Sequence, residues 1–260
     1  MKPTHVLIVG ATGSVGRFAV TEARNQGYRV RALVRPATCA CFGSDVDVVR
    51  GDLTSMDDMR RALEGIDGIV FTHGSNGGPT LTENVDYGAV RNALKALDGR
   101  KVRIAPMTSI GVTHMDTSYN RSTQAHDWKR RSERLVRASG NDYTIVRPGW
   151  FDMEPDGAHR LEFQQGDRGP ALGPQDGAVS RQQIAQTLVT ALGCESANRK
   201  TLELVDIPGP AQSDAQLAPM FAALKSDMGL DGVDDLPNFP ESAQPKRVKE
   251  ELAHTESMNR

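Results

Sequence analysis

The chain lacks the features that would place it in a membrane, in an extracellular scaffold or on a nucleic acid. No window approaches the roughly 18 consecutive apolar residues that a bilayer-spanning helix needs, and mean hydropathy is −0.44. An excess of one charge is missing too. The 260 residues hold 31 Lys and Arg against 33 Asp and Glu, a net of −2, so neither nucleic acid nor a membrane surface is expected as a partner. Cysteine is scarce, with Cys39, Cys41 and Cys194 alone. An odd set without a CxxC pair or zinc spacing argues against a disulfide framework and a bound metal. Cys39 and Cys41 stand too close for a comfortable bridge and read as inert, reduced thiols of a cytoplasmic protein. The first residues pass into a strand-like run without a signal-peptide pattern.

What is present is an alternation. Apolar strand-like runs, "HVLIVG", "YRVRALVR", "VDVVRG", "GIVFTH", "KVRIAPMTS" and "DYTIVRP", are separated by helix-like stretches almost to residue 150. In the latter, apolar positions recur at three and four, as in Val85, Ala89, Ala93, Leu94 and Leu97. Several close on glycine: Gly27, Gly65, Gly99 and Gly140. Strand, helix, strand in this order predicts an α/β fold, a doubly wound parallel sheet with crossover helices on both faces. Beyond Pro148 the rhythm loosens. "GDRGPALGPQDGA" reads as loop, "SRQQIAQTLVTALG" as a helix capped by Ser180, and "RKTLELVD" as a strand. The expected division is a nucleotide-binding core over 1–150, a small substrate-side lobe integrated with it over 151–210, and a C-terminal arm over 211–260. That arm lies over the body or over a partner, and a homodimer stays open.

Gly10, Gly13 and Gly16 form GxxGxxG between the first strand and the first helix. The first glycine allows the tight turn, the second admits a pyrophosphate to the backbone, and the third lets the helix pack closely. Thr12, Ser14 and Val15 complete the loop, whose amides and helix dipole suit phosphate. A carboxylate at the end of strand two would accept from a ribose 2′-hydroxyl and repel a 2′-phosphate. This chain has Arg35 there instead, with Arg31 and Arg17 nearby. A guanidinium suits a phosphate, so NADP(H) is expected ahead of NAD(H).

The segments "VGATGSVG", "LVR", "GDLTS", "NVDYGAVRNALKA", "SIGV", "SGNDYTIVRPG" and "VSR" together resemble the atypical short-chain dehydrogenase/reductase group. That group includes NAD(P)H-binding proteins of the nitrogen-metabolite-repressor and biliverdin/flavin-reductase types. The resemblance runs from about residue 5 to 205 and implies a Rossmann fold. It also implies that Asp52 and Leu53 lie beside the adenine, that Thr72, His73 and Gly74 line the cofactor, and that Pro148 and Trp150 lie near the nicotinamide.

The chain departs from that group where proton transfer is handled. Short-chain reductases usually carry Tyr with Lys four residues on, the lysine gripping the ribose and lowering the phenol's pKa. Four residues after Tyr28, Tyr87, Tyr119 and Tyr143 stand Ala32, Arg91, Thr123 and Arg147. Lys129 matches the family lysine, and Ala125 holds the tyrosine's place. His126, one step round the helix, is a candidate proton donor, although a surface histidine on a solvated Lys-Arg run is the plainer reading. Thr108 or Ser109, after strand five, could polarise a carbonyl. His73 and His114 read as cofactor lining or loop. Losing the tyrosine costs about 10²–10⁴-fold in general-acid help, which activated acceptors tolerate. The expected function is therefore NADPH-dependent hydride transfer to a small-molecule acceptor such as a quinone, flavin or carbonyl. The alternatives are a non-catalytic NADP(H)-sensing regulator and an epimerase or dehydratase.

Overall fold

A computed structural model describes residues 2–40, 42–169 and 173–259, so Cys41 and part of the loop "GDRGPALGPQDGA" lie outside the described residues. In chain order the elements are β1 (His5–Val9), α1 (Gly16–Asn25), β2 (Arg29–Val34), β3 (Val46–Arg50), α2 (Met56–Leu63), β4 (Gly68–Phe71) and α3 (Pro79–Thr82). A π-helical turn over Glu83–Tyr87 leads into α4 (Gly88–Leu97), β5 (Arg103–Pro106), α5 (Ser118–Thr123), α6 (Ala125–Ala138) and β6 (Asp142–Pro148). There follow β7 (Trp150–Phe151), β8 (Arg160–Gln164), β9 (Ala178–Val179), α7 (Arg181–Gly193), β10 (Lys200–Ile207), α8 (Asp214–Ala223) and α9 (Lys246–Ser257).

The main sheet runs β3-β2-β1-β4-β5-β6-β10-β8. Its strands are parallel except β8, which joins β10 antiparallel. This is the doubly wound α/β sheet expected from the alternation. Because β1 is central and buried on both faces, its side chains divide by the period of two. Val6 and Ile8 enter the layer with α1, α7 and α8. Leu7 and Val9 enter the layer with α2, α4, α6 and α9. Between β1 and β4 the direction of sheet growth reverses, and the crevice at the strands' carboxyl ends is where such folds take ligands.

Local signals place the helices. The Ser55 hydroxyl accepts from the Asp58 amide and the Ser180 hydroxyl from the Gln183 amide, capping α2 and α7. The four glycines expected to close helices all take positive φ. The strand β8 was not expected; in "RLEFQ" just Leu161 and Phe163 alternate, too short a pattern to register. Residues 151–210 contribute β8 and β10 to the main sheet itself.

The larger surprise is α6. Its Lys-Arg run reads as a solvated face, but Arg130, Glu133 and Arg137 are buried. Cover comes from the C-terminal arm, which lies over the body. Asp231 bridges Arg130 and Arg134 at 3.2 and 2.6 Å. Asp227 bonds Arg137 at 3.2 Å and takes the Tyr143 hydroxyl at 3.1 Å. Phe239 lies under the guanidiniums of Arg130, Arg131 and Arg134 at 4.9–5.2 Å. From α9, Glu251 accepts from the Tyr87 hydroxyl at 2.6 Å. The sequence shows charge on one helix; it does not show that acids a hundred residues later neutralise it.

Candidate functional site

A cleft of about 950 Å³ opens at the carboxyl ends of β1, β2, β4 and β5. At one end is the glycine loop. Gly10 sits at φ 89°, and a Cβ there would come within 2.7 Å of the His73 amide nitrogen. A Cβ on Gly16 would lie 2.0 Å from the Gly10 carbonyl oxygen, so α1 reaches the sheet only because that position is bare. Gly13 donates to the Gly10 carbonyl at 2.8 Å, closing the turn. The residue before α1 is Val15, which offers no side-chain cap. The amides of Thr12, Ser14 and Val15 make no hydrogen bond among the described residues, which leaves them open to an anion at the helix mouth.

At the end of β2 the three arginines separate by role. Arg31 is turned into the structure, bound to Asp47 at 2.6 Å and to the carbonyls of Ala62 and Glu64. Arg17 donates to the Thr12 carbonyl at 3.1 Å and is absent from the cleft lining. Arg35 lines the cleft, is exposed, and its guanidinium has no partner among the described residues. Arg50 donates to the carbonyls of Pro36 and Thr38 and holds the turn that follows. Asp52 lines the cleft with its carboxylate bound to the Thr54 amide and hydroxyl, and Leu53 lies beside it.

The opposite end is built from side chains. Thr72, His73 and Gly74 follow β4 into the lining. The His73 Nδ1 is buried without a partner among the described residues, while Nε2 lies 3.5 Å from the Asp86 carbonyl oxygen. Burial first, and then the Lys129 charge, lower its pKa, so the ring is neutral at neutral pH. Lys129 reaches the cleft floor but is ion-paired there with Asp86, a buried carboxylate that also accepts from the Ser75 amide and hydroxyl. The π turn carries Asp86 to this position. Thr108 donates to the buried Glu133 at 2.7 Å. Next to it, Ser109 lines the cleft, and its hydroxyl is buried with no partner among the described residues.

Glu133 is the hub beneath. It takes Arg147 at 2.7 Å and Arg137 at 3.3 Å. Burial alone would push its carboxyl up, but the two guanidiniums overcome that and hold it below the ordinary carboxylate value. Arg147 also binds Asp235 of the arm at 2.6 Å and Glu203 at 3.1 Å. The strand end that presents Ser109 is therefore anchored through Thr108 to a charge network that the arm completes.

Most sequence candidates converge here: Gly10, Thr12, Gly13, Ser14, Val15, Arg35, Asp52, Leu53, Thr72, His73, Gly74, Thr108, Ser109 and Lys129 all line the cleft. Four do not. Gly16 lies beneath the loop, where its role is clearance. Pro148 is buried in the sheet, and its carbonyl accepts from the Ile110 amide at 3.0 Å. Trp150 is exposed outside the lining, and the alternation of β7 sends Phe151 in instead. His126 is neither in the lining nor at the surface. It is buried, its Nδ1 is 3.2 Å from the His114 carbonyl oxygen, and desolvation lowers its pKa. His114 in turn bonds the Asp167 carbonyl at 2.7 Å and is also absent from the lining. Sequence reasoning missed Phe151, Leu81 and Tyr119, lining residues from short elements without a periodic signal.

These features fit a dinucleotide: bare backbone and open amides for a pyrophosphate, a free cation at one end, and unpartnered polar atoms at the other. Comparison with known proteins agrees. A family model described as NAD(P)H-binding matches residues 10–195. Sanguinarine reductase of Eschscholzia californica is 26% identical over 265 residues, covering 85% of this chain and 96% of that one. Among solved structures, a putative NAD-dependent epimerase/dehydratase from Bacillus halodurans superposes with TM-score 0.66 at 23% identity, covering 83% of this chain and 99% of that one. A short-chain dehydrogenase/reductase from Veillonella parvula in complex with NADP gives TM-score 0.60 at 15% identity, covering 81% and 97%. These structural likenesses speak for the fold.

Proposed function

Because the chain belongs to the NAD(P)H-binding family, we propose that it is an NADPH-dependent reductase acting on a small activated acceptor. The observation that carries the choice of NADPH is Arg35: a guanidinium without a partner among the described residues stands at the end of β2, where a carboxylate would select the unphosphorylated ribose. The open amides at the mouth of α1 would hold the pyrophosphate. Lys129, kept in place by Asp86, would reach the nicotinamide ribose. When bound, the reduced nicotinamide supplies a hydride. Ser109 then has one free hydroxyl with which to hold the acceptor oxygen, and the Thr108–Glu133 bond fixes the strand end that aims it. Reduction of sanguinarine by the Eschscholzia relative, according to its name, suits this reading.

A second reading draws on one observation. Lys129 is already charge-compensated by a buried carboxylate, and no tyrosine sits four residues before it. A protein that binds NADP(H) as a signal, without turnover, would keep the cleft and have no use for the pair.

Titration of NADPH and NADH by fluorescence, followed by 340 nm absorbance with a quinone and an activated aldehyde, tests both. NADPH should bind more tightly and be oxidised. Arg35→Asp should weaken NADPH by about 10- to 100-fold, the loss of a charged bidentate contact of roughly 1.5–3 kcal/mol, and leave NADH little changed. Equal losses for the two nucleotides would remove Arg35 from the 2′-phosphate. Tight NADPH binding with no oxidation would favour the sensor.

A further inference from the structure

The family's tyrosine position holds Ala125, yet a phenol lines the cleft. Three of the four tyrosines are buried in the core. Burial raises the pKa of each, that of Tyr28 to about 12. The fourth, Tyr119, lies on α5 and lines the same cavity as Ser109, Lys129 and Phe151. It is 53% exposed, and its hydroxyl has no partner among the described residues.

Its place is built rather than incidental. The Thr117 hydroxyl caps α5 by accepting from the Asn120 amide at 3.1 Å. The buried Asn120 then accepts from the amides of His126 and Asp127 at 2.9 and 3.4 Å, capping α6. Gln124, at φ 54°, breaks the helix between the two caps. The His126 ring packs 5.5 Å from the Tyr119 ring, tilted by 59°. His126 is thus a support under the phenol. The break carries a tyrosine, which a continuous helix would point elsewhere, into the lining of the cleft that Ser109 and Lys129 share.

Resting on the reductase reading, we propose that Tyr119 is the proton donor that replaces the missing family tyrosine. Hydride from NADPH forms a C–H bond at the acceptor's carbonyl carbon, leaving NADP⁺. The C=O π pair moves to oxygen, which takes the Tyr119 proton while Ser109 holds it. The tyrosinate regains a proton from bulk water, to which the half-exposed residue is open.

Two acceptors separate this chemistry from packing. 4-Nitrobenzaldehyde needs a hydride and a proton; N-methylacridinium takes a hydride at C9 to give a neutral product and needs no proton. Tyr119→Phe keeps the ring on His126 and removes the donor. It should lower kcat for the aldehyde by about 10²-fold and leave acridinium turnover within about twofold. Equal losses for both acceptors, or no loss for either, overturn the assignment. Turnover of acridinium but not of aldehyde by the unaltered protein overturns Tyr119 alone. Turnover of neither, with NADPH bound, overturns the reductase reading beneath it.

Discussion

The two ends of the cleft are made of different material. At the phosphate end the groups that matter are backbone: open amides, a bare turn and a helix mouth whose shape depends on the absence of three Cβ atoms. At the reacting end they are side chains from the segment after β5 and from α5, α6 and β7, held by a buried network of charges. Backbone sites are specified locally, within a dozen residues. Side-chain sites borrow their geometry from distant segments, here even from the C-terminal arm, whose Asp235 is a neighbour of Arg147.

The contrast breaks first at Gly16. Its Cβ would meet backbone, not a movable side chain, so Gly16→Ala forces α1 away from β1. The expected outcome is the largest described here: loss of nucleotide binding by more than about 100-fold, or failure to accumulate as folded protein. A variant of normal Tm and normal NADPH affinity would show that the loop is not held by this clearance.

The reacting end should break more gradually, through stability. Arg147→Ala leaves Asp235 and Glu203 without the guanidinium they share, and Glu133 with Arg137 alone. Removing one partner of a buried charge pair costs about 3–5 kcal/mol, and roughly 2–4 °C of Tm accompanies each kcal/mol in a chain of this size. Nucleotide affinity, measured on the fraction that remains folded, should change little, while turnover falls as the Thr108–Glu133 anchor loosens. An unchanged Tm would mean that the network relaxes around the gap and does not hold the site.

This difference in material also explains what the sequence revealed. The doubly wound parallel sheet, the glycine turn and the candidate role of Arg35 follow from neighbouring residues: apolar runs alternating with helical ones, three glycines, and a cation at a strand end. Tyr119 did not follow, because its relation to Lys129 is set by a left-handed Gln124 and an Asn120 cap, and spacing rules for a continuous helix do not apply across a break. Nor did Asp86, which reaches Lys129 because a π turn shifts it relative to the α-helical pattern. Trp150 and Phe151 differ by one step of a strand alternation only two residues long. Burial of the α6 arginines depends on acids some hundred residues away, and a helix read alone gives no hint of them.

The smallest effect concerns pH, and it sharpens the comparison because only the side-chain end carries buried groups whose titration is displaced. Burial, opposed in part by Arg147, pushes the Glu203 carboxyl up to about 7. In the folded chain it keeps a proton that the unfolded chain releases near its ordinary value, so stability falls as pH rises from about 5 through 7. In the acid direction the sign reverses. Burial works against ionisation of Asp235, but bonds and charge from Arg147 outweigh it and hold this carboxyl near 2, so that contribution is lost as pH falls from about 4. Stability should therefore peak in the mildly acidic range. Glu203→Gln keeps an oxygen for Arg147 without a titrating proton, so it should flatten the decline between pH 5 and 8 and raise Tm at pH 8 by a few degrees. A residual slope should persist, since desolvation also lifts Asp206 to about 6. Melting curves at half-unit pH intervals decide the matter: parallel profiles for the variant and the unaltered protein would mean that Glu203 stays ionised throughout, and that Arg147 satisfies three carboxylates at once.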